Sequence, residues 1–188
     1  MNGERSTRDG ILLKLLEEFR ACGFDGVSLS RLAEVTGLGK ASLYHHFPGG
    51  KGEMAQAVMG LAWQWLEGNV VAPMEAEGEP GPRFELVLQA FEGFYAQGQK
   101  SCLLDVMPIS GRPEIHAAVK AVMERLEAGF KRLAMDAGLP EADATVRAEG
   151  ALVAIQGSLV LARGLGDSGP FLRQMQGLRK HFLNQVGA

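Results

Sequence analysis

Apolar residues along this chain recur at spacings of three and four, and runs of alternating β-branched residues do not occur. That period belongs to helices packed on one side, so an all-α fold of about nine helices is expected. Leu12, Leu15, Leu16 and Phe19 form the stripe of a first helix over about 7–22, with Gly23 as its stop. Ser28 is a good N-cap for a second helix over 29–36, which buries Leu32 and Ala33, and Gly37 suits the left-handed residue that turns the chain. A third helix over 40–46 is closed by Pro48, which disfavours helix in the residue before it.

A long helix over about 51–71 is expected next, then a loop over 73–82, where Pro, Gly and Glu crowd together. Helices over 83–97, 103–109, 114–137, 141–164 and 170–186 complete the pattern. The helix over 141–164 carries two stripes: Ala148, Leu152, Ile155, Leu159 and Ala162, and the smaller Gly150, Ala154, Gly157 and Leu161. Two stripes call for two partners, the core of the domain and a second copy of the chain. Leu152, Ile155 and Leu159, with Phe171, Met175, Leu178 and Phe182 of the last helix, are the candidate dimer contacts.

Residues 28–51 are the most informative segment. Two short helices joined at a glycine turn make a helix-turn-helix, whose second helix enters the DNA major groove. Such a helix needs close approach to phosphate and donors for base edges. Gly39, Lys40, Ala41 and Ser42 supply the approach, and Tyr44, His45 and His46 supply the donors. Leu43 and Phe47 lie four apart and share the inward face, which leaves positions 40, 41, 44 and 45 outward. Lys51 opens the following helix as a phosphate candidate, and Ser28 serves both as cap and as phosphate candidate.

Charge sharpens this reading. The chain carries a net charge of −3, and residues 1–60 hold seven Lys/Arg against seven Asp/Glu, so DNA contact requires a locally arranged basic face. Cys22 and Cys102 have no metal or redox spacing and suit a reduced cytoplasm. Cys102 follows Lys100, which leaves an inert buried thiol and a reactive thiolate both open. His45 and His46, about 100° apart on a helix, are poor co-ligands for a metal. No catalytic triad, paired carboxylates or phosphate loop is present, so neither an enzyme nor a cofactor is expected. The most apolar segment, 151–162, is short of a bilayer span, and no membrane role is expected.

The segments 23–29, Leu32-Ala33, Gly37-Leu38, 42–47 and Gly50-Lys51 together resemble the TetR family of bacterial transcriptional regulators, over about 12–62. The Phe47–Lys51 turn is similar to that of an LmrA/YxaF-like subgroup. Gly39 departs from the family's frequent Ser or Thr and removes a capping hydroxyl. The resemblance implies a DNA-binding domain over 1–52 and a regulatory and dimerisation domain over 53–188. It implies a cytoplasmic homodimeric repressor on double-stranded palindromic operator DNA, released by a small-molecule inducer. The aromatic content places an apolar or amphipathic ligand beside Phe84, Phe91, Phe94, Tyr95 and Met107. A regulator without ligand and a helical enzyme are the alternatives.

Overall fold

The structure is a computed structural model that describes residues 8–107 and 113–184. Among these residues there is no strand, as the periodicity requires. The helices are α1 (Arg8–Gly26), α2 (Leu29–Thr36), α3 (Lys40–His46), α4 (Gly50–Leu66), α5 (Ala72–Glu75), α6 (Pro80–Phe94), α7 (Leu103–Val106), α8 (Pro113–Asp136), α9 (Glu141–Leu165) and α10 (Gly169–His181). A π-helical turn, Glu67–Val71, joins α4 to α5.

Most boundaries fall within a few residues of expectation. Gly23 interrupts α1 with φ 68° and ψ −179°, at the predicted stop. The proline-rich segment is less of a loop than expected. Helix continues through Glu75, with Pro73 directly after the π turn, and resumes at Pro80, a first-turn position where the missing N–H costs nothing. Thr7, Ile109 and Val186, expected as helix ends, lie outside the described residues.

Two compact units emerge, and they do not divide at residue 52. One comprises Met1–Trp63 with Leu103–Ala118, the other Gln64–Cys102 with Val119–Ala188. The first unit recruits α7, which packs on α1. The Val106 carbonyl oxygen approaches Gly23 so closely that a Cβ there would lie 3.0 Å away. Ile11, Leu15, Phe19, Leu32, Leu43 and Phe47 are fully buried in this unit, and Phe19 stacks on Phe24 at 6.3 Å.

The second unit is built on an aromatic cluster. Phe84 stacks on Phe182 at 4.4 Å, Phe91 lies parallel to Phe130 at 6.2 Å, and Tyr95 meets Phe171 edge-on at 6.1 Å. Buried arginine ties its edges. Arg83 donates to the carbonyls of Pro73 (3.3 Å), Gly78 (3.2 Å) and Met74, and pairs with Asp136 at 3.0 Å. Arg125 joins Glu75 (2.5 Å) to Glu67 (3.2 Å) across the π turn. Arg179 of α10 clamps Glu85 (3.0 Å) and Glu92 (2.7 Å) of α6.

Helix α9 resolves the two-stripe pattern. Ala148, Ile155, Leu159 and Ala162 are buried within the unit, while Val146, Val153, Leu161 and Leu165 remain exposed. The expected dimer residues are therefore corrected. Ile155, Phe171 and Met175 are 0% exposed, Phe182 is 1% and Leu159 is 4%, because the aromatic cluster and α10 absorb them. Leu152 and Leu178 are half-buried. The complete helix also exceeds the short apolar segment read from the sequence. By length and composition alone α9 is long and apolar enough for a membrane span.

The Arg83 network predicts a large loss on substitution. Arg83→Met should strand the Met74 and Pro73 carbonyls and unpair Asp136, lowering unfolding free energy by about 3 kcal/mol in urea titrations. The clamp on α10 predicts a pH effect. Hydrogen bonding to Arg179 holds the Glu85 carboxyl below its ordinary value of 4.5. That contribution is complete above the ordinary value and is lost as pH falls below it. Arg179→Met should therefore flatten the acid limb of the stability–pH profile, measured by denaturation midpoints at stepwise lower pH.

Candidate nucleic-acid interface

The outward surface of α3 follows from its inward one. Leu43 and Phe47 are 0% exposed. With that face fixed, Gly39, Lys40, Ala41, Ser42, Tyr44 and His45 are all exposed, and Tyr44 retains 48% of its surface. His46 is half-buried, its ring 5.9 Å from that of His45 at a 70° interplanar angle. Ala41 and Ser42 keep the middle of the exposed face low, and Lys40, Tyr44 and His45 rise around it as donors.

The turn between α2 and α3 is fixed by local hydrogen bonds. Arg31 N–H donates to Ser28 Oγ at 3.1 Å, so Ser28 is the N-cap of α2. Gly37 (φ 73°) ends the helix, its N–H donating to Glu34 O and the Leu38 N–H to Ala33 O, both at 3.1 Å. Buried Thr36 donates its hydroxyl to Leu32 O at 2.7 Å. Gly39 caps α3 with backbone alone, in agreement with the lost hydroxyl.

Arg31, in the first turn of α2, is engaged. Its guanidinium binds Glu18 of α1 at 2.8 Å and Glu34 at 3.2 Å, which holds its charge more firmly than usual. The pair fastens α2 to α1 and locally cancels one positive charge. Lys51 is half-buried, with its ammonium 4.5 Å from the centre of the Phe24 ring. A cation held over a ring face has a defined resting position while its charge stays beside the surface.

Gly50 is a residue whose role the sequence reading missed. It adopts φ +65°, and a Cβ there would lie 3.3 Å from Tyr44 Cε1. The Tyr44 ring thus rests against bare backbone at the start of α4. Glu53 completes the start of that helix, accepting from Gly49 N–H at 2.7 Å. The signals were Glu53 three residues into the helix and paired glycines after Pro48.

The five expected ligand residues do not form a binding surface. Phe84, Phe91 and Tyr95 are 3%, 1% and 1% exposed inside the aromatic cluster, and Phe94 stacks on Trp65 at 4.3 Å. Met107 is buried and belongs to the first unit. Phe91 and Phe94 pack on Tyr95, and Phe84 packs on Phe130 and Phe182. Cys102 is also buried, its Sγ 3.1 Å from the Tyr95 hydroxyl.

A first helix followed by two short ones that present a polar α3 face is the arrangement of a helix-turn-helix DNA-binding module. The family model described as "Bacterial regulatory proteins, tetR family" matches residues 11–58. That match lies over the three N-terminal helices and the start of α4, the helix-turn-helix part of the chain. It is 29% identical over 83 residues to the HTH-type transcriptional regulator LmrA of Bacillus subtilis, a match covering 44% of each chain. It is 22% identical over 178 residues to the HTH-type regulator YxaF of the same organism, covering 92% of this chain and 93% of that one. The fold is similar to that of a TetR transcriptional regulator from Legionella pneumophila, with a TM-score of 0.78, 20% identity, and 96% and 97% of the two chains covered.

The contrast between neighbouring glycines supplies a test. Gly50→Ala forces a side chain into a left-handed backbone and against Tyr44, and should cost about 1 kcal/mol or more. At Gly52 an added Cβ would meet nothing within 4 Å, so replacement by alanine should gain about 0.5 kcal/mol. Thermal unfolding of the two variants should shift in opposite directions.

Proposed function

We propose that this chain is a homodimeric repressor that holds a palindromic operator through α3 and is released by a small apolar or amphipathic molecule. The observation that carries the DNA part is the exposed Lys40, Ala41, Tyr44 and His45 face over buried Leu43 and Phe47. Lys40 and His45 reach base edges, and the Tyr44 hydroxyl and Lys51 ammonium take phosphate. Gly39 and Ala41 admit the backbone close to the duplex, Ser42 and His46 add polar contacts, and Ser28 adds a hydroxyl at the start of α2.

The second copy docks on the outer face of α9. Val153 is 72% exposed, Leu165 67% and Leu161 57%, and Gly150, Ala154 and Gly157 lie among them in a groove bordered by Pro170 and Arg173 of α10. Exposed valine and leucine around small residues favour close apolar packing between helices. Twofold pairing fixes the distance between two recognition helices, which a palindromic operator requires.

Release requires a ligand that favours the arrangement unable to bind DNA. A tenfold fall in operator affinity corresponds to about 1.4 kcal/mol of coupling. Helix α4 is the candidate carrier, since it begins after the α3 turn and continues into the π turn braced by Arg125. π-helical turns recur where helices must adjust.

Three measurements check this reading. Operator selection from randomised duplexes should return an inverted repeat; failure to enrich any sequence over random DNA removes the repressor assignment. Lys51→Ala should weaken specific and random DNA alike and lower the salt slope by about one per subunit. Val153→Asp combined with Leu161→Asp should yield a folded monomer in sedimentation with strongly reduced operator affinity, and an unchanged dimer would move the interface elsewhere.

A further inference from the structure

The described residues of the first unit carry the cations Arg8, Lys14, Arg20, Arg31, Lys40 and Lys51. Lys14 Nζ donates to the Thr36 carbonyl at 3.4 Å, Arg20 pairs with Glu17 at 3.6 Å, and Arg31 is held by Glu18 and Glu34. Arg8, Lys40 and Lys51 have no ion pair or hydrogen bond among the described residues, and all of them border α3. We propose that Arg8 is a further DNA contact of this chain, a phosphate ligand seated on Phe47 at the end of α3. The proposal rests on the reading of α3 as the helix that enters the groove.

Placement is the first argument. Arg8 opens α1 and is exposed, with its guanidinium carbon 5.5 Å from the centre of the Phe47 ring. Phe47 is a fixed seat. It is 0% exposed, its N–H donates to the Leu43 carbonyl, and its own carbonyl accepts from Gly50 N–H, both at 2.8 Å. The Phe47 ring lies 6.4 Å from that of His46, which lies 5.9 Å from that of His45. A row of neighbouring rings thus leads from Arg8 to the exposed side of α3. Lys51 repeats the arrangement, with its ammonium over Phe24. The neighbouring carboxylate, Asp9, is one position along α1 and so points about 100° away.

Charge and reach are the second argument. Helix α3, with 7 residues, is about 10 Å long, close to the roughly 12 Å width of the major groove. Lys40 stands at one end of it, and Arg8 and Lys51 stand at the other, so cations at both ends can meet the phosphates that border the groove. Residues 1–60 carry equal numbers of acidic and basic side chains, which makes each uncommitted cation beside α3 count. A guanidinium drawn to a ring face by its charge keeps its N–H donors available, and their fork matches two phosphate oxygens. Seating on Phe47 also restricts a long side chain before DNA arrives, which lowers the ordering cost of the contact.

The test titrates the full-length chain with a random duplex and with the selected operator over a series of salt concentrations. Arg8→Met keeps an unbranched side chain over Phe47 and removes the charge. It should weaken both duplexes by roughly fivefold or more at about 0.1 M salt and lower the salt slope by about one per subunit. Arg8→Lys should restore the slope, because it returns the charge to the same place. A side chain that only covers Phe47 gives a different result: a lower thermal midpoint for Arg8→Met with the wild-type salt slope. That result, a loss confined to the selected operator, or failure of Arg8→Lys to restore the slope overturns the proposal. Absence of binding by the wild-type chain to either duplex would remove the reading of α3 and this proposal with it. Wild-type binding with a slope lowered by Lys51→Ala but not by Arg8→Met would remove this proposal alone.

Discussion

Burial of Leu43 and Phe47 is the contact on which the candidate DNA-facing surface depends. A helix of seven residues has little stability of its own, since nucleation is costly and few hydrogen bonds repay it. What holds α3 is the transfer of two large apolar side chains out of water, about 2–3 kcal/mol for each. The same contact sets the rotation of α3 about its axis. Once Leu43 and Phe47 point inward, the 3.6-residue period forces Lys40, Ala41, Tyr44 and His45 outward. The candidate reading surface is thus a by-product of core packing, and it is only as well positioned as that packing makes it.

Polar contacts then remove the remaining freedom. The Arg31–Glu18 pair joins α2 to α1, and Tyr44 lies on the bare Cα of Gly50. Surface ion pairs of this kind add little net stability. Their value lies in geometry, because a reading helix displaced by an ångström no longer meets base edges. Lys51 shows the complementary strategy: its charge rests over Phe24 and remains close to the surface it would serve.

The second unit solves a different problem. It buries a cluster of aromatic rings and still leaves an apolar helix face exposed. Arginines from several helices accomplish the first task at the edges, where Arg83, Arg125 and Arg179 cross between elements and occupy carbonyls and carboxylates that would otherwise compete for water. Helix α9 accomplishes the second by turning Ile155, Leu159 and a row of alanines inward and a valine, leucine and glycine face outward.

The helical period, the capping residues and the 28–51 segment were legible in the sequence because each depends on neighbours within a few positions. Ser28, Gly37 and the 40–46 helix are local facts, and so is the inward direction of Leu43 and Phe47. The partner that each apolar stripe would meet was not legible. Ile155, Leu159, Phe171 and Phe182 carry the same hydrophobic pattern whether they face a core or a second copy, and only the fold distinguishes the two. Phe84, Phe91 and Tyr95 likewise read as pocket lining, whereas Phe182, Phe130 and Phe171 meet their rings in the fold. The association of α7 with α1 depends on segments far apart in the chain. Periodicity determines which face of a helix avoids water; tertiary packing alone decides what covers it.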